Sequence, residues 1–176
     1  MIPAQRNKQY MQLCWVVPDL EAWIGRWVSQ AGAGPFFVFE DVHFDGGNYR
    51  GTPSDVAPHR AAIGQHGPMQ IELIQPLGDH PGIWNEVVPA GGFGFHHTAL
   101  YCEDYEAEKA ELLAAGAEVA FEGLMMGAKT GYLDTLGTLG FMTELITANP
   151  IAEQVFAMFR DAAEGWDGSD PIRKVG

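Results

Sequence analysis

Two stretches of the chain carry the same pattern of hydrophobic and polar positions. Residues 11–17 (MQLCWVV) form an apolar run that leads into a segment with helical periodicity, and residues 96–102 (HHTALYC) do the same. Each stretch is matched further along by a second apolar run, at residues 69–74 (MQIELI) and 141–146 (FMTELI). Such self-similarity indicates a duplicated supersecondary unit.

The predicted elements follow the same order in both copies. Asp19 and Asp104 are placed to cap helices over about residues 20–30 and 105–115, because a carboxylate there accepts hydrogen bonds from first-turn amides. The remaining strands are predicted at residues 36–42, 60–65 and 69–75 in the first copy, and at 118–124, 130–134 and 141–147 in the second. Each copy is therefore a βαβββ module, and the chain is predicted to have an α+β fold.

We predict one domain over residues 8–147, with modules at 8–76 and 95–147 and a linker at 77–94. Residues 148–176 form an amphipathic helix, predicted at 151–164, and an irregular tail. This helix has no counterpart in the first module, and the sequence leaves three roles open for it: capping a sheet edge, covering the cleft or mediating dimerisation.

The first module also carries an insertion at residues 45–58, which is rich in Gly, Pro and Asp. The composition indicates a long hairpin connection. It is either a lid over a substrate or a tolerated surface insertion.

Strand alternation places four polar side chains on the face that is turned away from the predicted helices. A carboxylate inside an apolar strand is costly unless it is paired or binds a cation, and two facing carboxylates repel each other. No Lys or Arg occurs within the four strands. A divalent cation would balance both carboxylates, whereas the alternative is that each Glu is solvated on an open sheet face. The four side chains are Gln12, Glu72, His97 and Glu144.

The chain resembles the vicinal oxygen chelate superfamily, the glyoxalase and bleomycin-resistance fold of paired βαβββ modules, over residues 10–147. The matching motifs are VPDLE and HHTALY after or within the first strands, with ELI in both last strands. The resemblance implies a curved, barrel-like mixed sheet. It also implies a divalent metal held by the first and last strands of each module, here by Gln12, Glu72, His97 and Glu144. Such a ligand set is similar to that of zinc-type glyoxalase I, whereas the epimerase branch usually has His first and Gln second.

This ligand set favours redox-neutral chemistry. Extradiol dioxygenases of the fold use two histidines and one carboxylate around Fe(II), whereas here Gln12 replaces the first histidine and a second carboxylate is present. We expect a glyoxalase- or epimerase-like lyase or isomerase that removes a proton beside a metal-chelated carbonyl or hydroxyl. Glu144 is the first choice for the base, with Glu72 as its partner across the metal.

Two alternatives to a lyase or isomerase remain. The first is a metal-free binding or sequestering protein of the bleomycin-resistance type, and the second, less favoured, is an extradiol-type dioxygenase. Zn²⁺, Ni²⁺, Co²⁺, Mn²⁺ and Fe²⁺ all suit the donor atoms. The candidate pocket residues are Tyr101, Arg60, Met125 and Tyr132, for which core packing or a solvated charge is the alternative.

Two further residue types receive structural predictions. Alternation predicts that His96 has a structural or surface position, since it points away from His97 or lies at the strand edge. Cys14 and Cys102 are predicted to be inert core thiols, because neither has a CxxC partner.

The charge of −13, with 10 basic residues among 176, speaks against nucleic acid and anionic membranes as partners. So few basic residues also speak against coenzyme A and glutathione as ligands, because both carry anionic groups. No apolar run approaches the ~20 residues of a membrane helix, and residues 1–9 lack the apolar region of a signal peptide. We therefore expect a cytoplasmic protein with a small-molecule substrate. Open strand edges favour a homodimer, although the ligands could come from one chain or two.

Overall fold

The computed structural model describes residues 9–175 of the chain. The predicted boundaries at residues 8 and 176 lie outside the described residues. The strands are β1 (Tyr10–Val16), β2 (Phe36–Phe39), β3 (Asp45–Tyr49), β4 (Thr52–Pro53), β5 (His59–His66), β6 (Met69–Pro76), β7 (Gly94–Cys102), β8 (Glu118–Met125), β9 (Ala128–Asp134), β10 (Met142–Thr147) and β11 (Ile172–Lys174). The helices are α1 (Leu20–Ala31), α2 (Ile83–Val87), α3 (Tyr105–Ala114), α4 (Leu136–Leu139) and α5 (Pro150–Ala163).

The described strands join one mixed sheet in the order β11-β2-β5-β6-β1-β7-β10-β9-β8-β3-β4. The first module supplies β2, β5, β6 and β1, and the second supplies β7, β10, β9 and β8. Within each module the first strand pairs in parallel with the last, and the two first strands meet antiparallel at the centre. The curved, unclosed sheet confirms the predicted α+β fold of two βαβββ modules.

The strand register shows the duplication residue by residue. In the first module Glu72 lies two positions beyond the register partner of Gln12. In the second module Glu144 lies two positions beyond the register partner of His97. Because two positions along a strand return to the same face, the two pairs occupy equivalent places in their modules. We call the face that carries them the inner face of the sheet.

Helices α1 and α3 pack on the opposite, outer face. Asp19 and Asp104 cap them as predicted, each accepting a hydrogen bond from the backbone amide three residues later. Helix α1 buries Leu20 and Ile24 against an apolar cluster that includes Leu73. The outer face is therefore an ordinary helix-on-sheet core, which leaves the inner face for chemistry.

Three segments differ from the sequence-based expectation. The linker contains helix α2, and its Trp84 is buried in the inner-face core. The insertion at 45–58 contains β3 and β4, and β3 pairs with β8 of the second module. The tail contains β11, which pairs with β2. Strands β4 and β11, of two and three residues, are too short to show a periodicity, and β3 (DGGNY) has no alternation of apolar residues.

Helix α5 lies across the inner face. Its Phe156 and Phe159 are buried in a cluster with Ala99 and Ile146, which belong to inner-face positions of β7 and β10. Of the three roles that the sequence left open, the packing of α5 supports covering the cleft. The strand that follows it, β11, covers the edge of β2.

Candidate metal centre

Strand β7 places His97 in the middle of the inner face, with none of its surface exposed. Its Nε2 lies 3.2 Å from Oε2 of Glu72 and 3.2 Å from Oε2 of Glu144. One carboxylate comes from the last strand of each module, β6 and β10. The structure thus brings three of the predicted ligands around one point, although they are far apart in the sequence.

The fourth predicted ligand, Gln12, lines the same cavity as Glu72 and Glu144. Several buried side-chain atoms of the described residues have no hydrogen-bond partner, and three of them belong to these predicted ligands: Gln12 Oε1, Glu72 Oε2 and His97 Nε2. The contacts of His97 Nε2 are short enough for hydrogen bonds but are not aligned for them. Buried polar atoms without partners are rare and costly.

A divalent cation fits this arrangement. The carboxylates of Glu72 and Glu144 would balance its charge, and the amide oxygen of Gln12 and the imidazole of His97 would complete the protein ligands. The donor set of nitrogen and oxygen atoms suits Zn²⁺, Ni²⁺, Co²⁺, Mn²⁺ and Fe²⁺ alike.

His96 determines which nitrogen of His97 can bind a metal. His96 Nε2 lies 2.9 Å from the carbonyl oxygen of Ile83, and His96 Nδ1 lies 2.9 Å from His97 Nδ1. A carbonyl can only accept, so the proton of neutral His96 is on Nε2 and its Nδ1 is an acceptor. His97 therefore donates from Nδ1, and its Nε2 is the nitrogen that faces the carboxylates. This is the arrangement in which a histidine is held as a metal ligand.

The two adjacent histidines have opposite pKa shifts. Burial and the neighbouring His97 lower the pKa of His96 to about 3, so this ring is neutral. Burial acts in the same direction on His97, but the carboxylates of Glu144 and Glu72 outweigh it and raise its pKa to about 9. A divalent ion bound at Nε2 would take the place of this proton.

Sequence reasoning did not connect two neighbouring residues, His96 and Cys14, with the centre. His96, predicted to be structural or at the surface, is fully buried and bonded to His97. Cys14, predicted to be an inert core thiol, has its Sγ within 4.8 Å of ligand-type atoms of Glu72 and His97. Burial and the nearby Glu72 raise the pKa of the thiol, which stays neutral. Alternation places Cys14 on the same face as Gln12, two residues earlier, but it does not show that the thiol lies close to Glu72 and His97.

A cavity of about 230 Å³ opens beside the ligand-type residues. It includes the predicted pocket residues Met125 and Tyr132. Helix α5 contributes three side chains, which sequence reasoning did not assign to the pocket. The lining residues are Gln12, Phe39, Asp41, Val42, His43, Phe44, His59, Ala61, Ile63, Glu72, Ile74, Met125, Met126, Tyr132, Glu144, Ile146, Val155, Phe156 and Phe159.

The other two predicted pocket residues lie elsewhere. The guanidinium of Arg60 contacts the carboxylates of Glu21 and Glu40, each at 2.6 Å. Its charge is therefore already compensated on the protein surface. The hydroxyl of Tyr101 accepts a hydrogen bond from the backbone amide of Asn149 at the start of α5. The structure places neither residue in the lining of the cavity.

Residues 11–133 match the family model of the Glyoxalase/Bleomycin resistance protein/Dioxygenase superfamily. The chain belongs to this superfamily. The match confirms the resemblance that the repeated motifs indicated. A comparison with curated proteins finds no match.

Solved structures of this superfamily fold are similar to the chain at low sequence identity. Methylmalonyl-CoA epimerase from Mycobacterium tuberculosis has a TM-score of 0.57 and 16% identity, over 86% of this chain and 97% of that one. A hypothetical protein from Bacillus halodurans has a TM-score of 0.57 and 16% identity, over 82% and 96%. A Streptomyces coelicolor methylmalonyl-CoA epimerase in complex with 2-nitronate-propionyl-CoA has a TM-score of 0.53 and 21% identity, over 80% and 96%. At these identities the comparison shows a common fold.

Proposed function

We propose that the chain is a metal-dependent lyase or isomerase, glyoxalase- or epimerase-like, that removes a proton beside a chelated carbonyl or hydroxyl. The observation that carries this proposal is the set of three buried atoms without partners, from Gln12, Glu72 and His97. Gln12 and Glu72 line the same cavity as Glu144, and His97 Nε2 contacts the Glu144 carboxylate. Membership of the superfamily and the fold shared with methylmalonyl-CoA epimerases support it.

The metal, when bound, would polarise two neighbouring oxygens of the substrate and acidify the C–H beside them. Gln12, Glu72, His97 and Glu144 would hold the ion, one from each of four strands. Glu144 lines the cavity and is the proposed base, because a carboxylate there reaches a proton on a substrate that occupies the cavity. Glu72, whose Oε2 also lies 3.2 Å from His97 Nε2, would balance the charge of the ion.

Tyr132 is a further polar group beside the proposed base. It lies opposite Glu144 in the β9–β10 register. Burial and the charges of Glu144 and Glu72 raise the pKa of its hydroxyl well above its ordinary value. Tyr132 therefore keeps its proton and serves as a hydrogen-bond donor to a carboxylate or a substrate oxygen.

Metal analysis of the purified protein tests the proposed centre. After loading with each candidate ion and gel filtration, we expect one divalent ion per chain by mass spectrometry of the metal content. A protein that takes up no ion but binds apolar ligands would instead be a sequestering protein of the bleomycin-resistance type. A metal-loaded protein that consumes O₂ with a catechol would be an extradiol-type dioxygenase.

Solvent exchange tests the proposed base. Metal-loaded protein in D₂O should exchange the C–H beside the carbonyl of 2-hydroxyacetophenone, measured by proton NMR. Glu144→Gln should keep its metal, because the amide oxygen can still ligate. Its rate of C–H exchange should be lower than that of wild type by about 10²- to 10⁴-fold. The exposed Glu153→Gln on α5 is the control and should match wild type. Equal rates in wild type and Glu144→Gln would mean that another group is the base.

The homodimer and the cytoplasmic location stay predictions. None of the helices among residues 9–175 is long and apolar enough to cross a membrane. The sheet is open at β11 and β4, and closed two-fold dimers are the commonest assembly of soluble proteins.

A further inference from the structure

Helix α5 presents two different faces. Ala152, Phe156 and Phe159 are buried at helical spacing, whereas Ile151 and Met158 are exposed. The side chain of Asn149 caps the helix by accepting a hydrogen bond from the amide of Ala152. The buried face of α5 is therefore held firmly against the inner face of the sheet.

That buried face forms one wall of the cavity beside the ligand-type residues. Val155, Phe156 and Phe159 line the cavity together with Glu72 and Glu144. The ring of Phe159 packs edge-on against Phe39, with 6.4 Å between the ring centres. We call the part of the lining that carries Glu72 and Glu144 the floor of the cavity, and the part formed by Phe156 and Phe159 its aromatic wall.

The charged residues of the cavity lining are acidic or paired. None of its described lining residues is Lys or Arg, and it includes the acidic Asp41 besides the two floor carboxylates. His43 is paired with Asp41 and with Asp55 at 2.9 and 2.8 Å, and burial lowers the pKa of His59, which is neutral. An anionic group on the substrate would find no unpaired cation in this lining.

The volume limits the substrate further. About 230 Å³ is below the roughly 300–1,000 Å³ of pockets that enclose drug-sized ligands. Such a space suits one ring with a short substituent. Aromatic side chains favour planar rings, because edge-on and offset ring contacts add to the burial of apolar area.

We propose that α5 is the specificity wall of the site, and that the substrate has a neutral aromatic ring next to its two vicinal oxygens. The oxygens face the floor of Glu72 and Glu144, and the ring packs against Phe156 and Phe159. This inference rests on the proposed metal centre, and it adds the class of substrate and the residues that select it.

Two hydroxamates test the proposal on Zn²⁺-loaded protein. Benzohydroxamate and acetohydroxamate chelate a metal through the same pair of oxygens and differ in a phenyl ring against a methyl group. Titration calorimetry should show benzohydroxamate binding about 10- to 100-fold more tightly, from burial of the ring. A third probe, 4-carboxybenzohydroxamate, adds a negative charge to the ring and should bind more weakly than benzohydroxamate.

Variants of α5 test whether its aromatic side chains cause the preference for benzohydroxamate. Phe159→Leu removes the ring but keeps an apolar side chain, and should reduce the ratio of the two affinities about threefold or more. Phe159→Ala should reduce it further, and Phe159→Leu remains the test should the alanine variant not fold. Met158→Ala, on the exposed face of the same helix, is the matched control and should leave the ratio unchanged.

The outcomes separate this inference from the proposed function. Equal binding of the two hydroxamates to zinc-loaded wild type, or a ratio that Phe159→Leu leaves unchanged, would overturn the aromatic wall while the metal centre stands. Tighter binding of the carboxylated probe would overturn the neutral substrate class. A protein that takes up no zinc and binds neither hydroxamate would overturn both proposals.

Discussion

The two modules place their ligand-type residues at equivalent positions but support them differently. In the second module, His97 is held through Nδ1 by His96, which is bonded in turn to the carbonyl of Ile83. The equivalent residue of the first module is Gln12, and the residue before it is Met11, which offers no such bond. An imidazole needs a partner that selects its tautomer, whereas an amide always presents one oxygen acceptor. Duplication therefore conserves the position of a ligand and leaves its support to each module.

The segments that are present in only one module pack against the other module. The insertion of the first module supplies β3, which pairs with β8 of the second. The extension after the second module supplies β11, which pairs with β2 of the first, and α5, which packs on β5. Both modules and the C-terminal extension therefore contribute to the site and its aromatic wall.

The largest effect that we predict separates the two first-strand ligands. His97→Ala should abolish stoichiometric metal, because it removes the nitrogen donor that faces both carboxylates. Gln12→Ala should weaken metal binding without abolishing it, because a neutral amide oxygen is the donor that a water can replace most readily. Metal content after dialysis at a series of free-ion concentrations measures both.

Thr98→Ala is a suitable control for these variants, since Thr98 lies on β7 next to His97 but on the outer face. Full metal occupancy in His97→Ala would refute the assignment of the centre. Equal losses in His97→Ala and Gln12→Ala would remove the difference between the modules.

The second effect concerns the support of His97. His96→Leu should lower metal affinity about 10- to 100-fold, as loss of a partner behind a metal-binding histidine does. His96→Gln should restore most of it, because the glutamine can donate to Ile83 and accept from His97. The equivalent substitution in the first module, Met11→Leu, should change little. Competition with a chelator measures the three affinities, and an unchanged affinity in His96→Leu would show that the pairing of the histidines is only structural.

Local patterns were sufficient to predict which polar residues come together on the inner face and insufficient to predict their surroundings. Alternation and repetition identified Gln12, Glu72, His97 and Glu144, since both signals lie within single strands. The role of His96 could not be predicted, because its partner is a backbone carbonyl of a five-residue helix in the linker.

Ion pairs between elements that are distant in the sequence could not be predicted either. Arg60 was a pocket candidate because it lies near the long hairpin and could bind an anionic group, but its partners Glu21 and Glu40 lie on α1 and just after β2. The pocket role of α5 was likewise beyond the sequence, because the amphipathic pattern of a helix shows that it has a buried face and does not show what that face covers.

A third prediction uses the linker helix, which supports both modules. The ring of Trp84 contacts His59 of the first module at 4.7 Å and His96 of the second at 5.0 Å between ring centres. Burial lowers the pKa of His59 below its value of 6.5 in the unfolded chain. The unfolded state therefore binds more protons, so the contribution of His59 to stability is full above pH 6.5 and is lost as the pH falls.

Denaturant unfolding between pH 7.5 and 5 at constant salt measures this contribution. The free energy of unfolding of wild type should fall more steeply with decreasing pH than that of His59→Gln. The difference in slope is bounded at about 1.4 kcal/mol per pH unit for one group. His97, whose pKa is raised, contributes with the opposite sign, but it is present in both proteins and cancels. Parallel curves would mean that burial does not hold His59 neutral in the folded protein.

The last prediction is the absence of an effect. Strands β1 and β7 pair side by side within one chain, and Gln12, Glu72 and Glu144 of that chain line one cavity. Mixing Gln12→Ala with Glu144→Ala protein, after exchange of subunits, should therefore restore neither wild-type metal affinity nor proton exchange, even if the predicted homodimer forms. Recovery would mean that modules of two chains build each site in solution. Sedimentation decides whether the mixture contains dimers at all, since a mass near 19.2 kDa under all conditions would contradict the homodimer and leave the site within one chain intact.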